Sequence, residues 1–330
     1  MILAGDIGGT HTRLALFEPP GLRPLHLEVF ASDAHDGLAG LVRTYLSGRD
    51  LTGPGAGIEG ACFGVAGPVQ EGRTVAVNLA WSVDAAELSE SLCVGPVQVV
   101  NDLEANAWGL TALGPDDLAT VVAGEADPAG NVVLLSPGTG LGEAIIVRGA
   151  AGEQVTASEG GHRDFAPRGE TQVALYRFLA AQYGHVSYER VCSGVGLVNI
   201  HRFLCQHEYE PAPDWLQQEM DEGDAAGTVS RAGLEHRDDV CSRALDLMIA
   251  ILAAEAGNLA LSVLATGGVY LGGGIPPRIL PRLTEGGFAR AFAAKGRFHE
   301  LMANVPVKVI LNDEAALLGA ARRAMAVRPA

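Results

Sequence analysis

Asp6-Ile7-Gly8-Gly9-Thr10-His11-Thr12 stands between two apolar runs, residues 3–5 and 13–17. Strand-forming runs on either side of a glycine turn read as a hairpin. Gly8 and Gly9 have no Cβ, so their N–H groups can approach a phosphate closely. Thr10 adds a hydroxyl donor, and Asp6 is placed to hold Mg2+ directly or through water. Taken alone, the run is also an ordinary hairpin in which Asp and Gly supply turn chemistry. It is not a Walker phosphate loop, because the Gly-Lys-Ser/Thr ending is missing.

The same order returns later in the chain. A strand at 131–136 enters Pro137-Gly138-Thr139-Gly140-Leu141-Gly142, a partner strand follows at 143–147, and a third run lies at 154–157. Residues 3–30 have the same succession of strand, Gly-Thr turn, strand and strand. A duplicated α/β fold with two such hairpins facing one another would grip a polyphosphate from both sides. The glycine turn of a Rossmann protein opens a helix instead.

Between the two hairpins, 38–46 has helical spacing and 47–60 is loop-like. A buried strand at 61–69 enters a Gly-Pro turn, and a strand at 74–77 ends at Asn78. Asp84 is expected to cap a short helix reaching 90. Val97-Gln98-Val99-Val100-Asn101-Asp102 then reads as a strand ending in two polar side chains, where open α/β sheets place their ligands. Asp102 can take a proton from a substrate hydroxyl. The alternative is a helix cap, with Asn101 and Glu104 spaced as a capping box. The helix is expected to reach about 113, and residues 114–117 close this half.

In the second half Glu159 and His162 flank two glycines, so both side chains can point into one pocket; a packed core histidine is the alternative. Residues 171–183 look helical. Ser187 is read as a cap with Glu189 early in the next helix, where a carboxylate also suits the helix dipole. Residues 205–238 are expected to form short helices and loops. Residues 239–264 form a long apolar helix interrupted by Asp246, Glu255 and Asn258, hence a buried helix rather than a membrane span. A strand from 267 runs into Gly272-Gly273-Gly274, glycines that leave flat space for a nucleotide base or ribose. A strand at 307–311 and a helix at 315–325, opened by 312–314, end the chain.

Composition limits the function classes. At 330 residues the chain suits two domains with sizeable cores, and 48% apolar against 19% charged residues marks a globular protein. A net charge of −16 argues against nucleic acid. The five cysteines are scattered without a CxxC pair or zinc spacing, as in a reducing cytoplasm. The strand-like residues 2–4 have no targeting pattern ahead of them, and a cytoplasmic protein is expected.

Together these motifs resemble the ATP-dependent bacterial glucokinases, within the actin-like, hexokinase and sugar-kinase superfamily. Glu159-Gly160-Gly161-His162 with Asp164-Phe165-Ala166-Pro167 is the most specific run, joined by His185-Val186-Ser187 leading to Glu189-Arg190-Val191. The resemblance is thin at 19–60, 112–130 and 205–238. The cysteine cluster that binds structural zinc in the related family of repressors and sugar kinases is missing.

The resemblance implies a duplicated actin-like ATPase (ribonuclease H-like) fold of two domains with a central cleft, 1–112 plus 314–330 and 113–313. It implies phosphorylation of D-glucose at the 6-hydroxyl, with ATP and Mg2+ as cofactors and no metal held by a protein cluster. Asn101, Asp102, Glu159, His162 and Glu189 would bind the sugar, with Asp102 the base. Asp6, Gly8, Gly9, Thr10, Thr139 and Gly140 would hold the phosphates of Mg-ATP, and Gly272, Gly273 and Gly274 would lie beside the adenosine. The expected partners are glucose and Mg-ATP in a homodimer, without nucleic acid or membrane. One sugar would bridge both halves and close the cleft. The alternatives are a kinase for mannose or fructose and a filament or chaperone ATPase, against which the sugar-binding set argues.

Overall fold

Leu3 and Ile7 face one side of the first strand, while Ile2 and Ala4 face the other, and all four are buried. A strand apolar on both faces needs cover on both sides. The computed structural model describes the chain except residues 52–56, 77, 78, 80, 151, 208, 209 and 328–330. Its packing divides into two units, Met1–Asp117 with Val155–Ala157 and Asn312–Ala330, and Leu118–Gln154 with Ser158–Leu311.

The first unit contains β1 (Ile2–Ile7), β2 (His11–Phe17), β3 (Pro24–Ala31) and β4 (Gly60–Val65). A small ribbon, β5 (Arg73–Val75) with β6 (Ser82–Asp84), and then β7 (Val97–Asn101) follow. The large sheet has the order β3-β2-β1-β4-β7. β1 pairs antiparallel with β2, and β1–β4 and β4–β7 are parallel. Helices Leu38–Ser47 and Ala85–Leu92 cover one face, and the terminal helix Ala315–Ala326 covers the other. Asp84 caps the second of these as expected, accepting the Ala86 and Glu87 N–H groups. The expected end of the 74–77 strand, with Asn78, lies outside the described residues.

Helix Asp102–Gly109 crosses the terminal helix where side chains are minimal. A Cβ on Gly319 would lie 1.7 Å from the Ala105 carbonyl oxygen, and one on Gly109 would lie 2.0 Å from that of Ala315. The α-helix ends at Gly109 and continues as a tighter turn, Leu110–Ala112, one residue short of the expected end.

The second unit repeats the plan with β8 (Leu118–Val122), β9 (Val132–Pro137), β10 (Leu141–Gly149), β11 (Gly152–Ser158), β12 (Gly268–Leu271) and β13 (Val307–Ile310). The order is β11-β10-β9-β12-β13-β8. β9–β10 is antiparallel, while β9–β12 and β12–β13 are parallel, so five strands match the first sheet in order and these three pairings match it in direction. β8, antiparallel on β13, has no counterpart in the first sheet and no element in the sequence reading. Its run Leu-Ala-Thr-Val-Val lacks the strict alternation of a half-buried strand and follows directly on an acidic turn.

Helix Asp239–Val263 runs through the core of this unit. Among the described residues it alone is long and apolar enough to cross a membrane by length and composition. Ala244, Leu245, Met248 and Leu252 on it are fully buried here.

Candidate active site

In the first unit Gly8 donates its N–H to the His11 carbonyl at 3.0 Å, which closes the β1–β2 turn. Ser32 supports it from β3's end, donating its hydroxyl to the Gly8 carbonyl at 2.8 Å. The Gly8 N–H is therefore engaged within the turn. Among the described residues no hydrogen bond takes the N–H groups of Gly9 and Thr10. Asp6, at the end of β1, accepts Arg13 Nη1 at 3.3 Å, and Arg13 Nη2 reaches Asp313 at 3.0 Å. Burial raises the Asp6 pKa above the usual carboxylate value, with Arg13 pulling the other way. No motif in the sequence marks Arg13 or Asp313 as partners of this site.

Ile7 pairs with Val65, and Val65 pairs with Asn101. The Gly8–Thr10 turn and the Asn101-Asp102 pair thus leave the sheet at the same edge. Asn101 is a helix cap: its Oδ1 accepts Leu103 N–H at 2.9 Å and Glu104 N–H at 3.3 Å. Its Nδ2 donates to the Gly67 carbonyl at 3.0 Å, joining the cap to the Gly-Pro turn. Asp102 is half-buried on the first helical residue, and its Oδ1 accepts Leu103 N–H at 3.0 Å. Gly64 makes room for this helix start, since a Cβ there would lie 2.8 Å from that of Ala105.

In the second unit the Gly138 N–H bonds the Gly140 carbonyl at 2.8 Å, and the Gly138 carbonyl accepts Gly194 N–H at 2.9 Å. As in the first hairpin, the first glycine closes the turn. Among the described residues Thr139 and Gly140 keep their N–H groups unbonded. Glu189 lies against this turn. Its Oε2 accepts Leu141 N–H at 3.1 Å, and a Cβ on Gly140 would stand 2.4 Å from the same oxygen.

Glu189 sits in a three-residue turn, Tyr188–Arg190, rather than early in an α-helix, and Ser187 makes no capping bond. The next α-helix starts at Gly194, and its cap is Ser193, whose Oγ accepts Gly196 N–H at 3.1 Å. The helix-dipole account of Glu189 is thereby replaced by a specific backbone partner.

Glu159 and His162 flank Gly160-Gly161 at the turn Gly160–His162, with side chains 68% and 60% exposed and 4.0 Å apart. His162 is therefore not a core histidine. The two glycines press on β10 instead: a Cβ on Gly161 would lie 2.0 Å from the Leu141 carbonyl oxygen. Tyr188 N–H donates to the Arg163 carbonyl at 3.0 Å, tying this turn to the one that carries Glu189.

Gly272 donates to the Leu135 carbonyl at 2.8 Å and Ile275 to that of Pro137 at 3.3 Å, so residues 272–274 adjoin the Gly-Thr turn. Only one of the three glycines opens onto free space. Gly273 has φ +77° and would put a Cβ 2.6 Å from the Pro137 carbonyl, and Gly272 faces Leu134 and Ile310, whereas nothing lies within 4 Å of Gly274. Gly274, Gly138, Thr139, Gly194, Val195 and Arg278 share a cavity of about 1500 Å3 inside this unit.

The sequence reading passed over a buried charge cluster. Arg163 Nη2 bonds Glu143 Oε2 at 2.6 Å and also Glu255 Oε1, and both carboxylates are buried. Its one visible trace was Glu255 interrupting an apolar helix. The fold also brings His201, Asp238 and Cys241 together, with ligand-type atoms within 4.8 Å of one another. Asp238 there caps the long helix by accepting Cys241 N–H at 2.7 Å.

A family model described as Glucokinase matches residues 3–327. The glucokinase of Synechocystis sp. is 38% identical, covering 97% of this chain and 96% of its own. That of Nostoc punctiforme is 37% identical over 97% and 98%. A solved glucokinase from an Antarctic psychrotroph is 31% identical with a TM-score of 0.86 over 98% of each chain. One from Balamuthia mandrillaris, solved in complex with glucose, is 20% identical with a TM-score of 0.79 over 98% of this chain and 93% of its own, and shares the fold. Matched along nearly its whole length, and with the duplicated actin-like fold of sugar kinases, this chain belongs to the glucokinase family.

Proposed function

We propose that this enzyme transfers the γ-phosphoryl group of ATP to the 6-hydroxyl of D-glucose, giving glucose 6-phosphate and ADP. The observation that carries the reading is the bond between Glu189 and Leu141 N–H. It joins the turns bearing Glu159, His162 and Glu189 to a Gly-Thr turn with N–H groups to offer. A sugar presents hydroxyls that both donate and accept, and carboxylates, Asn and His are suited to them. A polyphosphate needs convergent N–H donors.

In this reading Asp102 takes the proton of the attacking 6-hydroxyl. Asn101 fixes the start of the helix that holds Asp102, and its Nδ2 has a second hydrogen to donate. Both belong to the first unit, and Glu159, His162 and Glu189 belong to the second. Gly9, Thr10, Thr139 and Gly140 hold phosphate oxygens, with Gly8 shaping its turn, and the cavity beside Gly274 takes the nucleoside. Phosphoryl transfer passes through a loose transition state, so positioning and charge cancellation do most of the work. A single carboxylate at the end of β1, Asp6, fits Mg2+, which binds one or two carboxylates besides phosphate. Held there, Mg2+ would supply positive charge to offset that of the phosphates.

All five cysteines are unpaired, which supports a reducing, cytoplasmic setting. The homodimer rests on the resemblance, and the exclusion of nucleic acid on the net charge of −16. A coupled assay over a panel of hexoses and phosphoryl donors tests the reading. ADP release that requires glucose is expected. Sugar-independent hydrolysis, or a preference for mannose or fructose, overturns it.

A further inference from the structure

We propose that Arg163 is the positioning residue for sugar recognition: clamped between Glu143 and Glu255, it locks the two turns that present Glu159, His162 and Glu189. The inference rests on the proposed function and concerns groups that do not themselves touch substrate.

Arg163 holds the first turn twice, its backbone N–H and its Nε donating to the Gly160 carbonyl at 3.0 and 3.1 Å. Its own carbonyl accepts Tyr188 N–H at 3.0 Å, which holds the turn carrying Glu189. The side chain is 44% exposed, yet Nη2 reaches two carboxylates that are 0% and 1% exposed. Glu143 lies on β10 two residues beyond Leu141, the donor to Glu189, and a Cβ on Gly160 would stand 2.0 Å from its Oε2. Glu255 comes from the long core helix. Asn258 Nδ2 bonds Glu255 Oε2 at 3.0 Å and the Tyr188 hydroxyl at 3.1 Å, so the Glu189 turn is tied to the cluster from both sides. Lys295 Nζ completes the chain, donating to Asn258 Oδ1 at 2.5 Å. Arg163 thus answers both carboxylates, and Lys295 is linked to them through Asn258.

A buried ion cluster seldom gives more stability than apolar packing of the same volume. Here every bond of the guanidinium ends on the first turn or on a carboxylate beneath the two turns, which is where a rigid support is useful. A recognition site 1 Å out of place loses much of its effect.

Steady-state kinetics of Arg163→Met and Arg163→Lys test this. Arg163→Met is expected to raise the glucose KM about tenfold or more while the ATP KM changes less than about twofold. Lysine keeps the charge but not the forked geometry, so Arg163→Lys should recover only part of the loss. Should Arg163→Met fail to fold, Glu143→Gln keeps the Arg163–Glu255 bond and should raise the glucose KM by about two- to fivefold, again without moving ATP. A glucose KM that stays put, or one that rises in step with the ATP KM, overturns the inference. Wild-type enzyme without glucose-dependent turnover would instead overturn the proposed function, so the two failures are distinct.

Discussion

Ile7 and Asn101 occupy one row of the first sheet, each paired with Val65 of the strand between them. The row puts a phosphate-type turn and a carboxylate at the same sheet edge. Asp102→Asn should therefore leave glucose binding nearly intact, as measured by calorimetry, while kcat falls by roughly two to four orders of magnitude. Retained turnover would leave Asp102 as a residue of the helix start only.

Glu159 and His162 are exposed on one turn, whereas Glu189 is bonded to the second Gly-Thr turn. Glu159→Gln should weaken glucose binding by about 1.5–3 kcal/mol, the range for bonds to charged groups, and His162→Ala by less, with nucleotide affinity unchanged. Glu189→Ala removes the acceptor of Leu141 N–H as well, so it alone should also weaken ATP binding. Titrations of all three with glucose and with an ATP analogue check the contrast, and equal effects on both ligands would refute it.

Gly273 and Gly274 are adjacent and should respond oppositely to a methyl group. Gly273→Ala meets a positive φ and the Pro137 carbonyl, and should lose about 1–3 kcal/mol of stability. Gly274→Ala meets open space and should stay within about 0.5 kcal/mol of wild type. Urea unfolding of the pair decides. Equal losses would mean that the turn is not held as described.

Burial, helped by the neighbouring Glu255 and opposed by Arg163, pushes the Glu143 carboxyl from 4.5 up to about 7. A raised carboxyl contributes stability that is full below its unfolded value and is lost as pH rises through the folded one. Lys295 is lowered by burial and then by Arg168, against Glu255, from 10.5 to about 8. Its contribution is full above the unfolded value and lost as pH falls through the folded one. The cluster should therefore help least between pH 7 and 8. Urea midpoints of wild type should decline from pH 4.5 to 7 relative to Glu143→Gln. Parallel curves for the two proteins would contradict the assignment.

The two Gly-Thr hairpins, the Asn101 cap and the duplicated strand order were legible because each is local. A glycine turn between apolar runs and a cap before a helix are set by residues a few positions apart. The same locality left Asn101 ambiguous between cap and ligand, and its Oδ1 proves to be a cap in the fold. Five residues at β8 carried too little periodicity to be read.

The sequence by itself determined which residue types stand at the ends of which strands, and hence the sugar-kinase resemblance. Only the tertiary structure decided that Glu189 answers Leu141, that Gly273 packs against the Pro137 carbonyl, and that Arg163 joins Glu143 to Glu255, its partner 92 residues away. Spacing along the chain carries no record of such pairs. They exist because the sheet register and the core helix bring buried charges to one point, where the low-dielectric interior requires each to find a partner.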